Sequence, residues 1–132
     1  MNLVVIDASV GVKLFRSEEG SPEARELLLA HARGEVTIAV PSIFVYELMG
    51  VATRFLTADE SQELWIRFMD WRIHVREVGD VLVRDAIRIH ERYGCALYDA
   101  FAPALAAQLR APLYSADRRA HGVWPGVVLL GA

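Results

Sequence analysis

The sequence predicts a three-layer α/β/α fold with a central parallel sheet of about five strands, formed by all 132 residues as one domain. Three observations lead there. Short apolar, β-branched runs alternate with amphipathic stretches, the pattern of parallel strands joined by crossover helices. The length falls within the usual single-domain range of roughly 100–150 residues. A chain that is 54% hydrophobic and 23% charged is rich enough in core formers to exclude disorder and coiled-coil readings. No internal repeat, low-complexity run or linker divides it.

Each element has a local reason. Residues 2–6 are continuously apolar after Asn2 and β-branched, as in a strand buried on both faces. Asp7 or Ser9 then caps a helix over 10–15. Ser21-Pro22-Glu23 opens a helix to about residue 32, with proline near its first position. Residues 37–40 read as a second strand ended by Pro41, and Ser42 caps a helix through about Phe55. Thr57 with Glu60 forms a capping-box pattern that starts a helix through about Trp71. Residues 73–76 alternate as a short strand. Gly79-Asp80 begins a long amphipathic helix closed by Gly94. A helix over about 98–109, a strand over 112–115, a short helical turn near Asp117 and a last strand over 127–130 complete the order.

Composition also limits function. The chain carries 14 basic and 17 acidic side chains, a formal charge of −3, with a pI near 5.8. That balance excludes a grip on nucleic acid by bulk positive charge. Lys13 is the only lysine among the 14 cations. The remaining arginines bind phosphate in a bidentate fork. Cys95 is the single cysteine, so an internal disulfide and a multi-cysteine zinc site are both excluded. The opening MNLVVIDASVG has no basic leader, and no apolar run reaches the roughly 18 residues of a membrane span. A cytoplasmic, reducing location with no membrane partner is the expectation.

The chemistry is expected from four acids. Parallel sheets bind ligands at the carboxyl ends of their strands, and Asp7 follows the first strand while Asp117 lies just past the fourth. Glu47 shares a helical stripe with Ile43, Gly50 and Val51. Asp99 lies among Tyr98, Ala100, Phe101 and Ala102. Neither has a basic residue three or four positions away. Each acid alone has a plain structural reading: Asp7 and Asp99 as helix caps, Glu47 at a solvent edge, Asp117 as a turn acid beside Arg118 and Arg119. Together they point to a carboxylate cluster holding Mg²⁺ or Mn²⁺, hard cations that take oxygen ligands and keep waters. A metal so bound activates water for attack on a phosphodiester. Ser9 and Ser115 would position ligands or water. Arg16, Arg118 and Arg119 are the candidate phosphate contacts.

The segments VVIDAS with Asp7 and Ser9, SIFVYELMG with Glu47, YDA with Asp99 and SAD with Ser115 and Asp117 together resemble the spaced acids of the PIN-domain family, in particular its VapC-type toxins. The likeness runs through essentially the whole chain, in order and spacing. It implies a Mg²⁺- or Mn²⁺-dependent endoribonuclease, a homodimer restrained by a cognate antitoxin. By the same resemblance Asp7, Glu47, Asp99 and Asp117 are metal-binding and catalytic, with Ser9 and Ser115 in support. Pro103 departs from the family pattern, because it interrupts the helix that carries Asp99 and cannot donate to the Asp99 carbonyl.

Competing readings fare worse. A receiver-type phosphoacceptor needs a late lysine, and the only lysine is Lys13. A haloacid-dehalogenase-like phosphatase needs Asp at position 9, which is serine. A catalytically silent PIN-like binding domain, or a PIN-type nuclease outside a toxin–antitoxin pair, is the alternative. His31, His74, His90 and His121 lack metal-ligand spacing and read as surface or helix-face residues. Cys95 reads as an inert loop or core thiol, and Trp65, Phe68 and Trp71 as core or dimer packing. Setting the four acids aside leaves 14 basic against 13 acidic side chains, so the remaining surface is nearly neutral and a metal would mediate contact with a polyanion.

Overall fold

The computed structural model describes residues 2–131. Its strands are β1 (Leu3–Ile6), β2 (Thr37–Pro41), β3 (His74–Arg76), β4 (Leu113–Ser115) and β5 (Val128–Leu129). They form one sheet in the order β3-β2-β1-β4-β5, with every neighbouring pair parallel. The helices are α1 (Ala8–Val12), α2 (Ser21–Ala32), α3 (Ile43–Phe55), α4 (Ala58–Trp71), α5 (Asp80–Tyr93), α6 (Leu97–Leu109) and α7 (Arg118–His121). This is the three-layer arrangement the sequence predicts.

The period-two alternation of the strands divides the interior into two cores. Val4 and Ile6 of β1 join Ile38 and Val40 of β2 on one face, where they pack with Val10, Ala24, Phe44, Leu48 and Phe68 from α1 to α4. Val5 and Ala39 point the other way, onto Leu82 and Ala86 of α5 and Phe101 and Leu105 of α6. Because helices cover both faces, β1 and β2 need apolar side chains at every position, hence the uninterrupted runs. Phe68 is buried in the first core and Trp71 packs against it, the rings meeting edge-on at 6.2 Å, whereas Trp65 is exposed and stacks on Phe68 at 5.6 Å.

Chain direction fixes the functional edge. The chain leaves β1 toward β2 and β3, then returns to lay β4 and β5 on the opposite side of β1. The switch point therefore lies between β1 and β4, and a crevice opens at the carboxyl ends of those two strands. Val5 pairs with Leu113 and Ile6 with Tyr114. The ladder extends one step further, because the Asp7 N–H donates to the Tyr114 carbonyl at 3.0 Å.

Several local expectations are corrected. The first helix starts at Ala8 rather than residue 10 and ends as α-helix at Val12, with single turns carrying the chain to Arg16. Asp7, not Ser9, is its N-cap. Gly20, in the left-handed region at φ 88°, precedes α2, which begins at Ser21 as expected. Its hydroxyl donates to the Arg16 carbonyl and accepts from the Glu18 N–H. Ser42 makes no side-chain cap for α3; its hydroxyl accepts the Val78 N–H and ties α3 to the segment after β3. Pro41 is in β2, opposite Arg76, rather than beyond it. The Thr57–Glu60 capping box is present in both directions.

Candidate functional site

Asp7 is fixed by the turn from β1 into α1. Its Oδ2 accepts the Ser9 N–H at 3.2 Å and the Ser9 hydroxyl at 2.7 Å. The cap is therefore real, and the carboxylate that makes it also faces the crevice. Glu47 projects from the second turn of α3 into a small cleft it lines with Asp7, Ala8, Phe44 and Tyr98. Asp99 stands in the first turn of α6, whose N-cap is Ala96, so it is not the cap itself. Asp117 caps α7, with Oδ1 accepting the Ala120 N–H at 3.0 Å. Together with Asp99, Cys95 and Arg119 it lines a hollow of about 220 Å³.

Electrostatics link these acids. Burial pushes the Glu47 carboxyl up from 4.5 to about 7, and the charges of Asp7 and then Asp99 add to the effect. Asp99 is likewise raised, by burial first and then by Asp7; His121 opposes the shift and Asp117 reinforces it. Asp7 thus bears on both Glu47 and Asp99, and Asp117 bears on Asp99. The ion pairs Lys13–Glu18, Arg84–Asp80 and Arg88–Asp85 lie apart from these four acids. The carboxylates repel one another at the end of an apolar core.

Such a set has the donor chemistry of a hard divalent cation: oxygen only, anionic, and destabilised without positive charge. Among the described residues, no three His, Cys, Asp or Glu side chains converge tightly enough to form a closed metal cage. Magnesium does not require one, since it is commonly held by one or two carboxylates and completes its shell with waters and substrate phosphate oxygens. The residues fit that kind of open site.

A hydroxyl network sets the spacing. The Ser9 hydroxyl, having donated to Asp7, accepts the Ala116 N–H at 2.9 Å, which ties the end of β1 to the turn after β4. The fully buried Ser115 hydroxyl accepts the Asp117 N–H at 3.0 Å and lies 3.5 Å from the Ser9 hydroxyl. Its third neighbour is Nδ1 of His121, at 2.7 Å. The His121 ring is 1% exposed. This overturns the expectation that every histidine lies on the surface or a helix face. His31 is the second exception: it is half-buried, its Nδ1 accepts the Ile38 N–H at 3.0 Å, and its Nε2 meets the Trp71 carbonyl at 2.8 Å. His74 and His90 are exposed as expected.

The arginine candidates separate. Arg119 is exposed and borders the hollow beside Asp99 and Asp117. Arg118 is exposed on the same short helix, its stem against Gly122. Arg16 instead stacks over the Phe55 ring at 3.7 Å. Phe55 lies two helical turns beyond Glu47, about 12 Å along α3, so Arg16 stands apart from the acids. Cys95 is partly buried, and burial together with nearby Asp99 pushes its thiol up, which suits an inert side chain.

A model of the PIN domain family matches residues 4–123. Comparison with curated protein sequences gives no match. Among solved structures, the fold is similar to that of a toxin–antitoxin complex from Klebsiella pneumoniae, with a TM-score of 0.72, 21% identity, and 95% of each chain covered. It is also similar to VapBC2 from Rickettsia felis bound to a DNA fragment from their promoter, with a TM-score of 0.72, 16% identity and 96% of each chain covered. DNA-bound VapBC from Salmonella typhimurium gives a TM-score of 0.72 at 17% identity, over 98% of this chain and 97% of that one. At these identities the likeness is one of fold. Among the described residues, no helix is long and apolar enough to cross a membrane.

Proposed function

The chain belongs to the PIN-domain family, and from that premise we propose that it is a Mg²⁺- or Mn²⁺-dependent endoribonuclease, the toxin of a toxin–antitoxin pair. The single observation that carries the nuclease reading is the convergence of acids at one crevice: Asp7 and Glu47 line the same cleft, and burial and the Asp7 charge raise both the Glu47 and the Asp99 carboxyl. Burial and like charge at one crevice disfavour the ionised acids, and a bound cation would relieve both. The toxin reading draws on the similarity in fold to toxin–antitoxin complexes at near-complete coverage. By the same analogy the partners are a cognate antitoxin and a second copy of the chain.

In this reading Asp7, Glu47, Asp99 and Asp117 hold the cation, which when bound supplies a water of lowered pKa and a counter-charge for the phosphodiester. Glu47, raised to about 7, is partly protonated near neutral pH in the free protein, and a bound cation would displace that proton. Ser9, with its proton committed to Asp7 Oδ2, keeps that carboxylate aimed across the crevice. Ser115 holds the Asp117 backbone in place. Arg119, beside the hollow, would meet an RNA phosphate, with Arg118 as its neighbour on the same turn.

The test is cleavage of an RNA substrate by purified protein with Mg²⁺ or Mn²⁺. Asp7→Asn and Asp99→Asn are expected to fold and to lose cleavage. Variants that cut RNA as fast as the parent would show that these acids are not the site.

A further inference from the structure

His121 answers the question posed by Pro103. Proline at position 103 lies inside α6 and has no N–H. The Asp99 carbonyl, four residues earlier, therefore loses its helical donor. An orphaned carbonyl there would destabilise the turn that carries the Asp99 carboxylate. His121 Nε2 lies 2.7 Å from that carbonyl oxygen. A carbonyl can only accept, so Nε2 carries the proton and donates. In the neutral ring Nδ1 is then an acceptor, and it takes the Ser115 hydroxyl proton across 2.7 Å. One ring thus joins the first turn of α6 to the end of β4, and through the Ser115 hydroxyl to the Asp117 backbone N–H. Its Nδ1 is 3.9 Å from Asp7 Oδ2, too far for a hydrogen bond.

We propose that His121 is a positioning residue of the acidic site: it replaces the helix N–H that Pro103 lacks and fixes the spacing between Asp99 and the Ser115–Asp117 turn. The proposal rests on the metal-dependent reading of the site given above. It assigns His121 no contact with metal or RNA. Groups that orient metal-binding side chains typically contribute about 10–100-fold to affinity or activity, and His121 is placed to do so from 22 positions along the chain.

The test pairs the two residues. His121→Phe keeps the ring bulk and removes both hydrogen bonds. Pro103→Ala returns a helix N–H to the Asp99 carbonyl. Binding of Mn²⁺ alone is measured by titration calorimetry, and kcat and KM are measured on RNA, for the parent, each single variant and the double variant. His121→Phe is expected to weaken Mn²⁺ at least about tenfold and to lower kcat with KM for RNA little changed. Pro103→Ala in the same chain is expected to recover a substantial part of that loss. His121→Gln, which keeps an amide donor, serves where the phenylalanine variant does not fold, and is expected to lie nearer the parent. Parent-like Mn²⁺ affinity in a folded His121→Phe, or a loss that Pro103→Ala leaves untouched, overturns the positioning role. If Asp99→Asn lowers Mn²⁺ affinity in the same series while His121→Phe does not, the site reading stands and only the histidine's role falls. If the parent itself takes up no Mn²⁺, the site reading falls first and this proposal with it.

Discussion

Replacing Glu47 with glutamine is expected to stabilise the metal-free protein at alkaline pH. The carboxyl is raised from 4.5 to about 7 by burial, then by Asp7 and Asp99. Between those values the folded chain holds a proton that the unfolded chain has released. Proton uptake is then greater in the folded state, so stability falls as pH rises through that window. Below about pH 4.5 both states are protonated and the cost is absent; above about pH 7 it is fully present. At roughly 1.4 kcal/mol per pKa unit the unscreened figure is about 3 kcal/mol. Glu47 is only half-buried, and solvent screening reduces this to about 1–2 kcal/mol. Glutamine has no charge to desolvate, so Glu47→Gln should melt higher than the parent at pH 8 by about 3–8 °C. The gap should close as pH falls toward 4.5. Thermal melts of both proteins in chelator across this range provide the measurement. A variant no more stable than its parent at pH 8 would refute the repulsion argument. A gap that stays constant with pH would assign the gain to packing instead.

Three further outcomes are expected. Saturating Mn²⁺ should raise the melting temperature of the parent, since a ligand bound only by the folded state at 100 times its Kd adds about 2.7 kcal/mol; Asp7→Asn should show little of this rise, and a parent that does not shift at millimolar Mn²⁺ would count against the cluster. Gly11→Ala should lower stability by about 1–2 kcal/mol despite alanine's better helix propensity. Its Cβ would come within 2.7 Å of the buried Phe44 ring and 3.2 Å of Leu48, and an unchanged urea midpoint would show that the ring can yield. Thr57→Ala, which removes the acceptor for the Glu60 N–H, should cost about 1 kcal/mol and leave RNA cleavage at the parent's rate; a loss of cleavage would mean the α3–α4 connection reaches the site.

How much of this was legible in the sequence depended on whether the signal was local. Strand alternation and the Thr57–Glu60 box were readable because each is decided within a few residues. The acids were readable for the opposite reason, since Glu47 and Asp99 contradict their apolar surroundings and such conflicts mark functional positions. Ser42 misled because a serine beside a helix start is a common cap, whereas here its hydroxyl serves the Val78 N–H. His31 and His121 were not readable at all. Their partners include backbone groups 40 and 22 positions away, and no residue type announces a backbone acceptor. Pro103 was the one available clue: it declares that the Asp99 carbonyl needs a donor without saying where the donor comes from.

The division of labour at the site follows from these facts. Charge and geometry come from different side chains. The four acids supply negative charge at a destabilising density, and repulsion alone would drive the Glu47 and Asp99 helices outward from Asp7. What opposes it is a set of hydrogen bonds: Ser9 to Asp7 and to the Ala116 N–H, Ser115 to the Asp117 N–H, and His121 between Ser115 and the Asp99 carbonyl. Neutral donors and acceptors can fix spacing without cancelling the field that attracts a cation, whereas a lysine or arginine in their place would fill the site it organised. The lone lysine illustrates the alternative use of charge. Lys13 is buried at the C-terminal end of α1, bound to Glu18 and to the Glu19 carbonyl. There a cation holds a loop, while in the crevice hydroxyls and an imidazole hold the acids and leave their charge unspent.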